Sequence, residues 1–218
     1  MSPVCVVVGV GPGIGLSVAR RFARGGFALG LVSRSAEAGR GFAAALAATG
    51  ARAVAVAADA GDAVALRGAL ERLRADLGEP SVLVYNASSS HRAAPSALKP
   101  PDLEADFRVS VTGALVAVQQ VLPAMRSAGR GTVLLTGGGL ALAPSVGEAS
   151  LSVGKASLRS LALSLAAELE PAGIHVATIT VAGFVEPGTR FDPDRIAEEY
   201  WRLHGQERGR WEREVVFR

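Results

Sequence analysis

The sequence predicts an α/β protein in which a mostly parallel sheet carries helices on both faces. Strand-like and helix-like segments alternate along the whole chain, as in repeated βα units joined by right-handed crossovers. The strand-like segments are continuous apolar runs, which is typical of strands buried on both sides. The first of them leads directly into a glycine-rich turn. We therefore expect a doubly wound sheet within one domain spanning residues 1–218.

The predicted elements follow in regular order. Strands are expected at Val4–Val8, Ala28–Ser33, Ala53–Ala58, Val82–Tyr85, Gly131–Leu135 and His175–Val181, with a short closing strand at Glu214–Phe217. Helices are expected from Ile14 to about Gly25, from the second strand to about Gly50, from a cap near Asp62 to Leu77, from Leu103 to about Arg126, from about Ser150 to Leu169, and from Asp192-Pro193 to near Leu203. In the first long helix the apolar residues recur at three- and four-residue steps, at Leu103, Phe107, Val111, Leu115, Val118 and Leu122.

Composition supports one large core. The chain has 218 residues, is 49% hydrophobic and 20% charged, and has a mean hydropathy of +0.30. No apolar run approaches the ~20 residues of a membrane span, and no signal-like segment marks export, so we expect a cytoplasmic protein. The single cysteine, Cys5, lies in the first strand and is expected to be a buried core residue.

Charge argues against a nucleic-acid partner. The net charge is only +3, although the isoelectric point is about 9.6. The arginine-rich end from Arg190 to Arg218 carries as many acids as arginines, so it has no basic face by count. The three histidines have no metal-ligand spacing, and we predict no metal. A small-molecule partner remains, with neither nucleic acid nor membrane.

The glycine-rich turn after the first strand predicts a dinucleotide site. Gly9, Gly11, Gly13 and Gly15 separate the buried strand from a helix that opens at Ile14. Glycine permits positive φ, close approach of a phosphate to the backbone, and tight packing of the helix on the strand. The N–H groups and dipole at the start of the helix then hold the anion. The strand–turn–helix context indicates a Rossmann fold.

Several separately spaced motifs resemble those of the short-chain dehydrogenase/reductase family over nearly the whole chain. Gly9-x-x-x-Gly13-x-Gly15 is similar to its cofactor loop, Tyr85-Asn86-Ala87-Ser88 to its segment after the fourth strand, and Ala182-Gly183-x-Val185 to the turn that meets the nicotinamide. Asp59 matches the adenine-contacting acid, and Lys155 matches the active-site lysine. The resemblance implies a seven-stranded sheet. It also implies a homodimer or homotetramer formed through the two long helices.

The cofactor-binding residues that these patterns imply run through most of the chain. They are Gly9, Gly11, Gly13, Ile14, Gly15, Ser33, Arg34, Asp59, Ala60, Asn86, Ala87, Lys155, Gly183 and Val185. The second strand ends at Ser33-Arg34, where the family and the general dinucleotide fold place an acid for the 2′-hydroxyl of NAD. A hydroxyl beside a guanidinium suits a 2′-phosphate, so NADP(H) is favoured over NAD(H).

The chain departs from the family at its catalytic positions. Leu151 stands where the family has its tyrosine, one helical turn before Lys155, and Gly138 and Ser110 stand where it has a serine and an asparagine. The only tyrosines are Tyr85 and Tyr200, so a shift of one residue in the alignment does not restore the acid. Ordinary chemistry of this family is therefore not expected.

Four residues remain candidates for the chemistry. Lys155 is one of only two lysines among 23 basic residues, and a compact ammonium suits hydrogen bonding to ribose hydroxyls. His91, in the loop after the fourth strand, is either a substitute proton donor or an exposed loop residue. Glu148 either faces the pocket or serves as a first-turn charge of the following helix. Ser110 neighbours the site and is a candidate to bond substrate or water.

Three functions fit these observations. The first is a reductase of an activated substrate, an imine or iminium ion or a conjugated carbonyl, because such substrates need little help from an acid. The second is a non-redox tailoring enzyme, such as a cyclase, dehydratase or isomerase, built on the same scaffold. The third is a catalytically silent nucleotide-binding sensor or scaffold.

Overall fold

A single parallel sheet organises the molecule. The computed structural model describes residues 2–218 and has seven strands in the order β3-β2-β1-β4-β5-β6-β7. The strands are β1 Val4–Val8, β2 Ala28–Ser33, β3 Ala53–Ala57, β4 Pro80–Tyr85, β5 Gly131–Thr136, β6 Ile174–Val181 and β7 Glu214–Phe217, and every neighbouring pair is parallel. The predicted fold class is confirmed.

Seven α-helices of the described residues cover the sheet. They are α1 Ile14–Arg24, α2 Ala36–Ala47, α3 Ala63–Leu77, α4 Pro100–Phe107, α5 Gly113–Ala128, α6 Ala149–Leu169 and α7 Pro193–His204. Because side chains alternate between the faces of a strand, β1 contributes Val6 and Val8 to one core and Val7 to the other. Side chains of α3, α5 and α6 complete the first core, and side chains of α1, α2 and α7 complete the second.

The first long helix differs from its prediction. Instead of one helix from Leu103 to about Arg126, the structure has α4, a π-helical turn at Arg108–Thr112, and α5. The wider turn changes the helical phase, so the expected apolar stripe is only partly kept: Val111 and Val118 are buried, and Leu122 packs against the core. Phe107 and Leu115 are each 36% exposed, whereas Ala114 and Ala117 are buried.

The same helical stretch corrects an expectation about apolar length. Taken together, α4, the π-helical turn and α5 (residues 100–128) are long and apolar enough to cross a membrane by length and composition alone, with a mean hydropathy of 1.2 in the most apolar window. In the structure 44% of that window is buried. Val118, Val121 and Met125 pack in the core beside α3 and α6.

The strand order places a crevice at the carboxyl edge of the sheet. The chain runs outward from β1 to β2 and β3 on one side, and from β4 to β7 on the other. Connections leaving β1 and β4 therefore diverge, and in doubly wound sheets ligands bind where they diverge. Gly9 follows β1 and Asn86 follows β4 at this point.

Candidate cofactor and active site

A cavity of about 1270 Å³ lies at this divergence point. Its wall is formed by the glycine loop after β1, the segment after β4, the glycine run after β5, the first two turns of α6 and the turn after β6. Predicted cofactor residues that line it are Gly9, Gly11, Gly13, Ile14, Gly15, Asn86, Lys155, Gly183 and Val185. The structure thus brings most of the predicted cofactor residues to one cavity.

The glycine loop is packed tightly on one side and open on the other. Gly9 has a φ of +87°, and a Cβ there would lie 2.4 Å from the backbone nitrogen of Ala87. At Gly15 a Cβ would lie 2.7 Å from the oxygen of Gly9. A Cβ at Gly11 or Gly13 would meet nothing within 4 Å, because both residues face the cavity.

The start of α1 has the properties of an anion site. Within the described residues it has no side-chain cap and no acid in its first turn, and Gly13 is its N-cap residue. The amide of Asn86 donates a hydrogen bond to the oxygen of Gly9 at 2.9 Å and fixes the loop against β4. A bare helix start beside an open glycine backbone fits a dinucleotide diphosphate.

Lys155 is the buried cation of the cavity. Its side chain is only 8% exposed, and Nζ donates a hydrogen bond to the backbone oxygen of Thr136 at 2.8 Å. Burial lowers the pKa of the Lys155 ammonium to about 8. A Cβ at Gly138 would lie 3.3 Å from Cε of Lys155, so the glycine packs along the lysine stem.

Leu151 lines the same cavity one helical turn before Lys155. Neither tyrosine replaces the hydroxyl that this position lacks. The Tyr85 hydroxyl donates to the backbone oxygen of Val109, and the Tyr200 hydroxyl lies 2.7 Å from the hydroxyl of Thr136. Burial raises the pKa of both phenols, and neither belongs to the cavity wall in the described part of the chain.

Glu148 lines the cavity mouth as a paired carboxylate. It forms an ion pair with Arg92, whose Nε lies 2.6 Å from the carboxylate, and it accepts a hydrogen bond from the hydroxyl of Ser90 at 2.9 Å. These contacts tie the loop after β4 to the start of α6. Glu148 is the N-cap residue of that helix, but within residues 2–218 its carboxylate makes no capping hydrogen bond.

His91 and Ser110 do not belong to the cavity wall. The backbone N–H and Nδ1 of His91 lie 2.7 Å and 3.0 Å from the carboxylate of Asp106. Ser110 is in the π-helical turn, where its hydroxyl accepts the N–H of Ser89 at 3.3 Å.

The sequence interpretation missed Asp106. Its side chain is almost fully buried and also accepts a hydrogen bond from the hydroxyl of Ser150, directly before Leu151. Burial alone would raise the pKa of Asp106, but hydrogen bonds from Ser150, Ser89 and His91 outweigh it and lower the pKa. The sequence gives no signal for it, because Asp102 and Glu104 are acids of the same short helix.

The remaining predicted cofactor residues lie outside the cavity wall. Ser33 donates its hydroxyl to the backbone oxygen of Ser35 at 2.8 Å and lines a separate cavity of about 410 Å³ at the β3 edge. Arg34 is exposed beside it. The Asp59 carboxylate accepts the N–H of Gly61 at 2.8 Å, and Ala60 is buried in the core. Ala87 is partly buried and packs against the same core, next to Gly9.

No cluster of three metal-ligating side chains occurs in the part of the chain that the structure describes. Cys5 is buried within the sheet, and burial raises the pKa of its thiol. Its place in β1 agrees with the core role predicted from the sequence.

Comparison with known proteins identifies the family. The family model of the short chain dehydrogenases matches residues 3–194. A short chain dehydrogenase/reductase, dmxR12, of Cryptosporiopsis is 26% identical over 191 residues, covering 79% of this chain and 73% of that protein. A very-long-chain 3-oxoacyl-CoA reductase of Aspergillus clavatus is 36% identical over 179 residues, and this chain covers 50% of its length.

Solved structures agree over the full chain. A short-chain dehydrogenase from Rhodopseudomonas palustris is 26% identical, with a TM-score of 0.89 and coverage of 99% of this chain and 98% of that one. A metagenomic short-chain oxidoreductase in complex with NADP is 27% identical, with a TM-score of 0.89 and coverage of 98% and 96%. Together with the cavity and its glycine loop, these matches show that the chain belongs to the short-chain dehydrogenase family.

Proposed function

We propose that this protein is an NADP(H)-dependent oxidoreductase that reduces an activated substrate, an imine or iminium ion or a conjugated carbonyl, without a tyrosine acid. The observation that carries the proposal is that Leu151 and Lys155 line one cavity with the glycine loop. The cavity thus keeps the groups suited to a dinucleotide and presents a hydrocarbon side chain where a phenol would supply a proton. Loss of a general acid costs a rate factor of roughly 10²–10⁴, which an activated substrate tolerates best.

The residues divide into binding and chemical roles. Gly11, Gly13 and the start of α1 would hold the diphosphate, and Asn86 would keep the loop in place through Gly9. Lys155 would donate a hydrogen bond to the nicotinamide ribose. When bound, the reduced nicotinamide supplies a hydride to the electrophilic carbon of the substrate. Leu151 would exclude water from that carbon.

NADP(H) is proposed over NAD(H) because of the charge at the end of β2. Arg34 is exposed, and none of the carboxylates in residues 2–218 forms an ion pair with it. A guanidinium at this place suits a 2′-phosphate, as the sequence interpretation expects. The solved metagenomic relative is itself a complex with NADP.

An oligomer is proposed from the outer faces of the long helices. Phe107, Leu115 and Val153 expose between 36% and 42% of their surfaces on α4, α5 and α6. We expect a homodimer or homotetramer that covers these side chains, and analytical ultracentrifugation measures its mass. A monomer at micromolar concentration would contradict this part of the proposal.

The test of the function combines binding and turnover. Fluorescence titration should show NADPH binding, and nicotinamide absorbance should fall when an enone or a cyclic iminium is added but not with a simple ketone. Lys155→Met should weaken NADPH binding, whereas Lys99→Met, at the other lysine, should leave it unchanged.

Conversion of a substrate without oxidation of bound NADPH would favour a non-redox enzyme. NADPH binding with no turnover on the whole panel would favour a silent sensor.

A further inference from the structure

The cavity wall has more basic than acidic side chains. Glu148 is the only acidic side chain among the described residues of its wall, and it is already paired with Arg92 and Ser90. Arg92 itself is at the mouth, with 81% of its side chain exposed. Arg218 also lines the wall and adds a further positive charge. Among the described residues, no acidic side chain of the wall forms an ion pair with the buried ammonium of Lys155.

The ammonium also keeps donors available. An ammonium has three N–H donors, and the structure uses one of them on the backbone oxygen of Thr136. A carbonyl oxygen orients the ammonium without neutralising it. Even if one further donor contacts a ribose, a third is available for a substrate oxygen.

Such a cation discriminates between substrates by charge. A buried charge acts strongly on its neighbours because little water screens it. A cationic iminium next to Lys155 meets a like charge and loses its own hydration. A carbonyl oxygen that gains negative charge in the transition state is instead stabilised, as by the donors of an oxyanion hole.

Part of the wall presents hydrocarbon side chains to a ligand. Leu140, Leu142, Leu151, Val181 and Val185 line it. Phe184 stands at its rim with 92% of its surface exposed, which is unusual for so large an apolar side chain. A ligand with an apolar body would bury this surface.

We infer that the ammonium of Lys155 is an oxyanion-binding group, and that the substrate is an uncharged, apolar conjugated carbonyl compound rather than a preformed iminium cation. This inference rests on the proposed function and selects between its two substrate classes. In that reaction NADPH held in the cavity would supply a hydride that forms a C–H bond at the β-carbon. The C=C π pair would shift into a bond between the α-carbon and the carbonyl carbon, and the C=O π pair would move onto the oxygen beside Lys155. A proton from water would then bond to the α-carbon as the C=O bond forms again, which gives the saturated carbonyl compound, hydroxide and the oxidised nicotinamide.

A binding experiment without turnover tests the oxyanion site. 4-Nitrophenol is an apolar probe whose phenolate absorbs differently from its phenol, so the ionised fraction of the bound probe is read directly. We expect the apparent pKa of the bound probe to fall in the wild type and not in Lys155→Met. Lys155→Arg should restore part of the fall because it keeps the charge, and Lys99→Met should behave as wild type. An unchanged or raised probe pKa in the folded wild type would overturn the inference.

A turnover experiment tests the choice of substrate. The kcat/KM for an apolar enone should decline as pH rises above about 8, since Lys155 loses its proton there. With NADPH at saturating concentration, Lys155→Met should lower this kcat/KM about tenfold or more at pH 7 and should raise kcat/KM for a cyclic iminium. A wild type that reduces the iminium better than Lys155→Met does would overturn the inference.

The experiments distinguish a failure of the proposed function from a failure of the oxyanion site. If no substrate oxidises NADPH but Lys155 still stabilises the bound phenolate, the proposed function fails and the oxyanion site stands. If NADPH is oxidised and the phenolate is not stabilised, the proposed function stands and the oxyanion site fails.

Discussion

The Nζ of Lys155 lies 2.8 Å from the backbone oxygen of Thr136, so the last residue of β5 holds the lysine of α6 at the carboxyl edge of the sheet. The contact orients the ammonium but does not supply a countercharge, and burial lowers its pKa to about 8. The lysine thus remains mostly charged at neutral pH, beside a leucine that has no proton to give.

Leu151→Tyr should return a proton donor to the cavity. The new phenol would stand one helical turn from Lys155, and the nearby ammonium would favour its ionisation. We expect NADPH-dependent reduction of a simple ketone to rise by roughly 10²–10⁴ relative to wild type, because general acid catalysis contributes about that factor. Steady-state assays of ketone reduction measure the gain.

The matched control is Leu151→Phe, which fills similar volume without a hydroxyl and should give no gain. A double variant, Leu151→Tyr with Gly138→Ser, also tests the position where the family has its serine. Its Cβ would lie 3.3 Å from Cε of Lys155, so a small movement of the flexible lysine admits it. Equal ketone activity in the Tyr and Phe variants would show that the acid is not what limits this enzyme.

Gly9→Ala and Gly11→Ala should separate folding from cofactor binding. At Gly9 the methyl group would lie 2.4 Å from the nitrogen of Ala87, and φ is +87°, so we expect a loss of more than ~1 kcal/mol in the free energy of unfolding. At Gly11 the methyl group meets nothing within 4 Å, so stability should change by less than ~0.5 kcal/mol. Urea denaturation measures both.

NADPH titration completes that comparison. The Gly11 methyl group enters the space where the diphosphate is proposed, so Gly11→Ala should weaken NADPH binding about tenfold despite its unchanged stability. Wild-type affinity in folded Gly11→Ala would place the diphosphate elsewhere.

Local signals were sufficient to predict the fold and the glycine loop. The alternation of apolar runs with helical patterns predicted the parallel sheet, since each βα unit carries its own pattern. The glycines at 9 and 15 were predicted from the strand before them and the helix after them, and the structure shows why each lacks a side chain. These features depend on neighbours within one unit of the chain.

Contacts between distant segments were not predictable. Asp106 bonds to His91 and Ser150, which lie 15 and 44 residues away, and nothing in its own helix indicates those partners. Glu148 was interpreted as a pocket acid or a first-turn charge because Arg92 was not known to reach it. The π-helical turn was likewise hidden, because apolar spacing of three and four residues does not reveal one inserted residue.

Arg34→Ala should reduce the preference for NADP(H). A charge-assisted hydrogen bond to a phosphate contributes about 1.5–3 kcal/mol, so we expect the Kd for NADPH to rise about tenfold or more. The Kd for NADH should stay within about twofold, since NADH has no 2′-phosphate. Isothermal titration with both cofactors measures the ratio.

Arg67→Ala removes another exposed arginine, on α3, and serves as the control for net charge. It should leave both affinities unchanged at physiological salt. If Arg34→Ala weakens the binding of NADPH and of NADH equally, the guanidinium does not bind the 2′-phosphate.

Asp106→Asn should destabilise the wall between the loop after β4 and α6. The carboxylate accepts bonds from His91 and Ser150, and an amide of the same size would turn a donor toward one of them. Hydrogen bonds to a buried charged group contribute about 1.5–3 kcal/mol, so we expect a loss of that size in the free energy of unfolding at pH 7. Asp102→Asn is the control, because its carboxylate is partly exposed and 4.0 Å from His91.

The pH dependence of this loss identifies the carboxylate as its cause. Although desolvation raises the pKa of Asp106, the hydrogen bonds from Ser150, Ser89 and His91 lower it below its ordinary value of 3.8. A carboxylate with a lowered folded-state pKa stabilises the protein fully above its unfolded-state pKa, and that stabilisation is lost as pH falls toward the folded-state value. The difference between wild type and Asp106→Asn should therefore be constant between about pH 5 and 7 and should shrink below 3.8. A difference in urea-derived stability that stays the same down to about pH 3 would mean that the amide disturbs packing rather than charge.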